Sequence, residues 1–253
     1  MINLIKGDCL EAMKTIESGS IDAIITDPPY GTTACKWDSV IDFELMWEQL
    51  KRIIKPNGAI VLFGSEPFSS ALRMSNIKNY KYDWYWNKVN SGNFATAKYN
   101  PLKSIEIISV FSTGKKINYY PIMTDADESK NRPIVEVVKK LDATQGMGSG
   151  VFKEAKDRNR SKRYPKNILK YNNRENELNM LKRVHPTQKP VALMEYLIKT
   201  YTNENETVLD FTMGSGSTGV AAKNLNRHFI GIEQDENYFN IATNRINNAI
   251  KVY

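Results

Sequence analysis

Short apolar segments alternate with amphipathic segments along the first hundred residues and again after residue 190. The runs 21–26 (IDAIIT) and 59–64 (AIVLFG) have the length of buried strands, whereas 42–55 carries the apolar spacing of a helix. Alternation of this kind is typical of a mostly parallel sheet with helices on both faces. We therefore predict a doubly wound α/β fold of seven strands. The strands 80–89 and 104–113 follow each other without a helix, which predicts an antiparallel edge.

Composition excludes several classes of protein. The chain has 253 residues, of which 41% are hydrophobic and 25% charged, enough for one α/β domain with an insertion. Two cysteines, Cys9 and Cys35, cannot build a disulfide framework, and with only His185 and His228 we expect no metal site. No apolar run approaches the ~20 residues that span a bilayer, and no signal-peptide pattern opens the sequence, so we expect a cytoplasmic protein.

The positive charge is concentrated in one segment. Residues 130–183 hold 15 Lys and Arg against 6 Asp and Glu, whereas the whole chain has a net charge of +7. This segment also lacks apolar periodicity. We predict that 121–183 is a basic insertion in a catalytic and cofactor-binding domain formed by 1–120 and 184–253. A polyanion is its natural partner, although a solvated lysine-rich loop would have the same composition.

A glycine-rich turn and a later acid indicate a nucleoside cofactor. Gly214 and Gly216 lie between a predicted strand and helix, where the missing Cβ atoms let a ligand approach the backbone. Glu233 ends the next strand, 23 residues after Asp210, where a carboxylate can accept both hydroxyls of a ribose. The sequence lacks a Walker-type phosphate loop, and Asp210 suits an amine better than a pyrophosphate. S-adenosylmethionine is a nucleoside of this kind.

The stretch DPPYG (27–31) directly follows the apolar run 21–26. A stiff turn would explain it, since proline fixes φ and has no N–H. A reaction centre would explain it too. The carboxylate of Asp27 and the carbonyl of Pro28 could accept the N–H bonds of an adenine amino group and so free its delocalised lone pair. Pro29 cannot compete as a donor, and Tyr30 offers a flat face to a base flipped out of the duplex.

Five motifs follow one another along nearly the whole chain: GDCLEAM (7–13), DPPYG (27–31), HPTQKP (185–190), DFTMGSGSTG (210–219) and IGIEQDENYF (230–239). In content and order the sequence resembles the β group of amino-methylating DNA methyltransferases. There DPPY comes first, a target-recognition region follows, and the cofactor glycines lie near the C-terminus. The resemblance implies a Rossmann-like, S-adenosylmethionine-dependent methyltransferase fold with circularly permuted motif order. The basic insertion would then be the target-recognition region.

The resemblance also implies roles for individual residues. Asp27 and Pro28, with Pro29 and Tyr30, would bind the target amino group and stack on its base. The cofactor would be held by Asp8, Cys9, Leu10, His185, Thr187, Gln188, Lys189, Asp210, Phe211, Met213, Gly214, Ser215, Gly216, Thr218, Glu233 and Gln234. Phosphate contacts are expected from Arg158, Arg160, Lys162 and Arg163.

Two features near these motifs carry separate hypotheses. Thr212 occupies a position where the family usually has phenylalanine, which puts aromatic packing against the cofactor in doubt unless Phe211 supplies it. Trp37 and Asp38, just past DPPYG, lie on a loop that could close over the flipped base.

The sequence leaves several functions open. The acid in DPPY favours N6 of adenine, since relatives that methylate N4 of cytosine more often carry serine there. Cytosine-N4 methylation, RNA adenine methylation and an inactive nucleic-acid-binding relative are the alternatives. Double-stranded DNA is the expected partner. A homodimer is suggested only by the resemblance, and neither the recognised DNA sequence nor an accompanying restriction enzyme can be read from the chain.

Overall fold

The computed structural model describes residues 1–32, 38–92, 94–125, 162–172 and 188–249. The chain divides into two compact units, one of Met1–Tyr120 with Lys166–Tyr253 and one of Pro121–Pro165. In the smaller unit, β6 (Thr124–Asp125) pairs antiparallel with β7 (Lys162–Arg163). Residues 166–172, which we expected in the insertion, lie in the larger unit. A target-recognition role for 121–183 stays a prediction.

The larger unit is built on one sheet, in which the described residues form eight strands. These strands are β1 (Ile2–Lys6), β2 (Ile21–Thr26), β3 (Ile54–Gly64), β4 (Tyr80–Gly92), β5 (Lys103–Phe111), β8 (Ile168–Lys170), β9 (Thr207–Asp210) and β10 (His228–Glu233). Their order is β1-β10-β9-β2-β3-β5-β4-β8. The first five are mutually parallel, and β5 is antiparallel to both β3 and β4. The mostly parallel sheet with an antiparallel edge is confirmed, with β8 as an added short strand.

Helices cover both faces of this sheet. Side chains of β3 alternate between two cores: Ile60 and Leu62 pack with the first three helices, and Val61 and Phe63 with the last three. A strand buried on both faces reads as a continuous apolar run, as 59–64 does. The helices are α1 (Cys9–Lys14), α2 (Phe43–Ile53), α3 (Phe68–Ser75), α4 (Val191–Tyr201), α5 (Ser217–Asn224) and α6 (Glu236–Asn247), beside a 3-10 turn at Phe94–Thr96. In the described part of the chain, none of them is long and apolar enough to cross a membrane.

The boundary between α2 and β3 differs from the predicted one. We expected the helix to continue to the Pro56-Asn57-Gly58 stop, yet Ile54 is already extended, with ψ 138°. Pro56 disfavours a helical conformation at the preceding residue, and Asn57 has a positive φ of 64°. The strand therefore begins five residues before the apolar run 59–64.

The sheet contains one point at which its winding direction reverses. From β2 the chain crosses through α2 to β3 on one side, and from β9 it crosses through α5 to β10 on the other. Strands β2 and β9 are neighbours, so their carboxyl ends flank the crevice in which doubly wound folds bind ligands. The DPPYG stretch leaves β2 there, and the glycine-rich turn leaves β9.

Candidate active site

A cavity of about 300 Å³ lies at the carboxyl ends of β1, β2, β9 and β10. This volume is at the lower end of the range of small-molecule sites. The cavity collects most of the predicted site residues. Those lining it are Asp8, Cys9, Leu10, Asp27, Pro28, Pro29, Tyr30, Gln188, Lys189, Asp210, Phe211, Met213, Gly214, Ser215, Thr218, Glu233 and Gln234.

The DPPYG stretch holds its own side chains together. The Tyr30 hydroxyl donates a hydrogen bond to Oδ1 of Asp27, and the Tyr30 ring packs on Phe68, with 5.0 Å between ring centroids. Burial raises the pKa of Tyr30 well above its usual value, and the charge of Asp27 adds to the effect. Tyr30 is thus a neutral donor to the Asp27 carboxyl group in this structure.

The side chain of Asp38 holds the backbone of residues 30–32, at the end of the DPPYG stretch. Its Oδ1 accepts from the amides of Tyr30 and Gly31, at 2.8 and 2.9 Å, and its Oδ2 accepts from the amide of Thr32 at 2.9 Å. Three charge-assisted bonds to consecutive amides hold the chain after Pro29 in one conformation. Asp38 stabilises the turn in this way, and the hypothesis that its loop closes over a flipped base stays a prediction. Trp37 lies outside the described residues.

Lys189 forms an ion pair with Asp27. Its Nζ donates to Oδ2 of Asp27 and lies 3.5 Å from Oε2 of Glu106. Burial raises the pKa of Asp27, and the nearby ammonium of Lys189 opposes this effect. Lys189 was predicted among the cofactor contacts. It lines the cavity as expected, but its charge is paired with the acid of the DPPYG stretch.

Asp210 ends β9, where it lines the cavity and is almost fully buried. Its Oδ1 accepts from the hydroxyl of Thr26 at 2.5 Å, and its Oδ2 from the hydroxyl of Thr218 at 2.6 Å. Burial raises the pKa of Asp210 to about 6, and the two hydroxyl donors limit the rise. Such a group is an anion at neutral pH, suited to bind an amine.

Thr212 joins the two halves of the cavity. Its Oγ1 lies 2.7 Å from Oγ1 of Thr26 and 3.1 Å from the backbone oxygen of Asp27. The departure from the phenylalanine usual in the family therefore places a hydroxyl bridge between the ends of β2 and β9. Phe211 is buried in the core on the α1–α3 side and also lines the cavity.

The glycine-rich turn is shaped by backbone conformation. Gly214 and Gly216 have φ of 51° and 79°, a region that favours glycine. Gly216 does not line the cavity; a Cβ there would lie 2.9 Å from Cβ of Ala242 on α6. Its role is close packing of α5 against α6, whereas Gly214 contacts the site.

Glu233 is attached to the same turn. Its Oε2 accepts from the Gly214 amide at 2.9 Å, and its Oε1 accepts from the Asp235 amide at 2.8 Å. Burial raises the pKa of Glu233, and these amide donors oppose the rise. Each carboxylate oxygen keeps a second lone pair with which it could accept a ribose hydroxyl.

The start of α1 also lines the cavity. Oδ1 of Asp8 accepts from the amides of Leu10 and Glu11, at 2.9 and 3.1 Å, and so caps the helix. The Leu10 amide is therefore committed to the cap. Burial and the charge of Asp8 raise the pKa of the Cys9 thiol to about 12, so Cys9 stays a neutral lining group.

Several lining residues were not among the predicted catalytic or cofactor-binding residues: Gly7, Thr32, Asp38, Ser39, Ile41, Asp42, Met194, Thr212, Ser217, Ile232 and Tyr238. Ser217 was detectable, because it lies within the glycine motif. Its Oγ is buried and makes no hydrogen bond to any described residue. This unsatisfied hydroxyl and the carboxylates of Asp210 and Glu233 fit a polar cofactor that carries an amine. No group of three or more His, Cys, Asp or Glu in the described ranges could hold a metal ion.

Some predicted residues cannot be placed here. His185, Thr187, Arg158 and Arg160 lie outside the described residues. Lys162 and Arg163 form β7 in the smaller unit, and the Lys162 ammonium lies 2.7 Å from a carboxylate oxygen of Asp125.

Comparison with known proteins gives consistent matches. A family model described as DNA methylase matches residues 21–244. The chain is 29% identical to the type II methyltransferase M.HinfI of Haemophilus influenzae, over 96% of this chain and 67% of that protein. It is 28% identical to M.HpaI of Haemophilus parainfluenzae, over 96% of this chain and 73% of that protein.

Solved structures agree on the fold. The complex of M1.HpyAVI with SAM has a TM-score of 0.63 and 28% identity, and the match covers 98% of this chain and 100% of that one. The cytosine-N4-specific PvuII DNA methyltransferase has a TM-score of 0.68 at 17% identity, covering 99% and 88% of the two chains. At 17% identity, the match to the PvuII enzyme supports the fold alone.

Proposed function

The chain belongs to the DNA methylase family of adenine-N6 and cytosine-N4 methyltransferases, and on that premise we propose that it methylates N6 of adenine at a specific sequence in double-stranded DNA. Enzymes of this family use S-adenosylmethionine, which supplies an electrophilic sulfonium methyl group. We further propose that the target base is flipped out of the duplex and that the methyl group passes directly to nitrogen in line, without a covalent enzyme intermediate.

One observation supports this proposal above the others. Asp27 and Asp210 lie at the ends of adjacent strands in one cavity, and Thr26 and Thr212 connect them. An acid suited to a target amino group is thus beside an acid suited to the cofactor. Proximity of this kind turns a bimolecular transfer into an effectively unimolecular one.

The chemistry proposed for Asp27 requires an anion. Its carboxylate and the Pro28 carbonyl would accept the two N–H bonds of the amino group and so localise the lone pair on nitrogen. The lone pair forms the new N–C bond while the S–C bond breaks, and the nitrogen then loses one proton. The burial that raises the pKa of Asp27 makes it a better acceptor for that proton.

The remaining predicted residues would bind either the cofactor or the DNA. Asp210, Gly214, Ser215 and Glu233 would bind the methionine part and the ribose of the cofactor. Arg158, Arg160, Lys162 and Arg163 would contact DNA phosphates, which give affinity without sequence readout. Light scattering in solution would test the homodimer that the resemblance suggests.

Cytosine-N4 methylation is the second candidate, because the same chemistry serves that amino group. The PvuII enzyme carries cytosine-N4-specific in its name and shares the fold. The aspartate at position 27 is what favours adenine here. Base-resolved detection of methylated DNA separates the two products.

The deciding experiment compares genomic DNA from cells that express this chain with DNA from cells that express Asp27→Ala. We expect N6-methyladenine at one sequence motif with the wild type and none with the variant. N4-methylcytosine at one motif would replace the adenine proposal by the cytosine one. Unmodified DNA with methylated RNA, or with no modification at all, would overturn it in favour of an RNA enzyme or a binding protein.

A further inference from the structure

Four charged side chains of alternating sign lead away from the cavity. Lys189 pairs with Asp27 on one side and with Glu106 on the other, at 3.5 Å between Nζ and Oε2. Glu106 pairs in turn with Lys88, at 3.2 Å between Oε1 and Nζ. The four residues come from separate segments: the turn after β2, the residue before Pro190 and α4, strand β5 and strand β4.

This row of charges is shielded from solvent. The side chains of Lys189, Glu106, Lys88 and Asp27 are 8%, 18%, 16% and 20% exposed. Lys189 also lies over the ring of Phe63, 5.1 Å from its centroid. Buried charges cost free energy unless they are paired, and a well-packed apolar replacement is often at least as stable. Stability alone is therefore a weak reason for such a network.

Neither Glu106 nor Lys88 is among the residues that line the cavity. They do not line the cavity themselves, so they would affect a bound substrate through the charges of Lys189 and Asp27. We propose that Lys189 and Glu106 are positioning residues for Asp27, and that they act on its ionisation in opposite directions. This inference rests on the proposed transfer at Asp27.

Lys189 has two effects on the Asp27 carboxylate. It holds Oδ2 while the Tyr30 hydroxyl holds Oδ1, so the carboxylate plane is fixed from both sides. It also favours the anion and so opposes the burial that raises the pKa of Asp27. An oriented anion is what the target amino group requires.

Glu106 opposes the stabilisation of the Asp27 anion by Lys189. Its negative charge raises the pKa of Asp27, while Lys189 and Lys88 outweigh burial and lower the pKa of Glu106 itself. When the methylated nitrogen loses its proton to Asp27, an N–H bond breaks and an O–H bond forms. Lys189 keeps its own proton in that step, because Glu106 remains as its counter-ion.

Other ionisable groups face Asp27 and stay in place in the test. Tyr30 donates to Asp27, and Asp38 lies behind Tyr30. Asp210 lies across the Thr26 bridge; burial raises its pKa to about 6, and the charge of Asp27 adds to the rise. Their contributions are common to all variants below.

The experiment measures single-turnover methylation of DNA as a function of pH, with saturating cofactor, for wild type, Lys189→Met and Glu106→Gln. Methylation falls on the acid side as Asp27 is protonated. Without Lys189 that fall should move to higher pH by one unit or more, a tenfold loss at a given acid pH. Glu106→Gln removes a charge at nearly constant shape and should move the fall to lower pH, and Glu106→Asp should restore the wild-type profile.

Lys55→Met is the matched control. Lys55 is also paired with a buried aspartate, at 2.7 Å from Oδ1 of Asp22, but that residue lies at the end of β2 away from Asp27. Its profile should coincide with that of the wild type.

Shifts of the same sign in both variants, or none in either, would overturn the inference. If Lys189→Met loses cofactor affinity and its pH profile of methylation does not move, Lys189 is a cofactor contact and not a positioning residue for Asp27. If Lys189→Met does not fold, the sign of the Glu106→Gln shift decides. A wild type that methylates no DNA refutes the proposed function itself, whereas an active wild type with unmoved variants refutes only the positioning role.

Discussion

At the scale of single residues, the site depends on two hydroxyl groups between the Asp210 carboxylate and the backbone of Asp27. Thr26 donates to Asp210, and Thr212 lies between Thr26 and the backbone oxygen of Asp27. A threonine hydroxyl has only one proton, so Thr212 can donate to one of its two neighbours at a time. The bridge therefore links the ionisation of Asp210 to the position of the turn after β2.

Replacing Thr212 by valine should lower the methylation rate about tenfold and change cofactor affinity less. The substitution keeps the shape and removes the hydroxyl, whose hydrogen bond to the Asp27 backbone oxygen is worth about 1 kcal/mol. Single-turnover rates and cofactor titrations would measure the two effects. Thr243→Val is the control, because that hydroxyl donates only to the Phe239 carbonyl within α6, at 2.8 Å. A loss confined to cofactor affinity would contradict the expectation.

Cofactor binding should weaken in acid. The pKa of Asp210 is raised to about 6, so its anion is present above that pH and is replaced by the neutral acid below it. If the anion binds the cofactor amine, the dissociation constant should rise about tenfold for each pH unit below 6. Calorimetry between pH 5 and 8 would measure this. Asp210→Asn should bind weakly and lack this part of the pH dependence; an unchanged profile in that variant would contradict the assignment.

Sequence reasoning found the acids of the site and missed their pairing. Asp27, Asp210 and Glu233 stand directly after apolar runs, so their place at one edge of a parallel sheet could be predicted. The bond between Lys189 and Asp27 joins residues 162 positions apart and has no local pattern. Asp38 was noticed for its position, but its bonds to three amides depend on a turn that propensity does not specify.

At the scale of secondary structure, the turn into α5 is constrained both by backbone conformation and by packing. Gly216 combines a φ of 79° with a Cβ direction blocked by Ala242. Gly19 has a similar φ of 64°, yet nothing lies within 4 Å of where its Cβ would be. A comparison of substitutions at Gly216 and Gly19 therefore separates the cost of backbone strain from the cost of steric overlap.

Gly216→Ala should lower the free energy of unfolding by roughly 3 kcal/mol, since left-handed strain and overpacking add together. Gly19→Ala should cost only about 1 kcal/mol, because it introduces the strain alone. Urea denaturation of both variants would measure the difference. Equal losses would show that close packing of α5 on α6 contributes nothing.

Periodicity identified most helices and strands but not all boundaries. The apolar runs of β2, β3 and β9 were recognisable because both faces of these strands are buried. Strand β8 has only three residues, Ile168–Lys170, which is too short a run for a period to be recognised in the sequence. It forms only because β4 offers an edge to pair with.

At the scale of the whole molecule, the excess positive charge and the acids of the cavity lie in different parts of the sequence. The acids of the cavity belong to the larger unit, whereas the excess of Lys and Arg lies between residues 130 and 183. The charge asymmetry could be predicted from composition. The DNA sequence that the protein recognises could not, because it depends on a few side chains in the least periodic segment.

Replacing Arg158, Arg160 and Arg163 together by glutamine should weaken DNA binding at all sequences alike. If each contacts one phosphate, the slope of log K against log salt concentration should become shallower by about 2.7. Fluorescence anisotropy over a range of salt concentrations would give both values. Lys14→Gln is the control, since Lys14 already pairs with Glu11 on α1, at 2.7 Å. An unchanged slope would remove these residues from the phosphate contacts.

The three amide bonds accepted by Asp38 have a consequence for hydrogen exchange. They protect the amides of Tyr30, Gly31 and Thr32, which share one acceptor side chain. Amides that depend on one group open together as a cooperative unit. These three amides should therefore exchange their protons with solvent at a common rate, and that rate would report how often the turn after β2 opens.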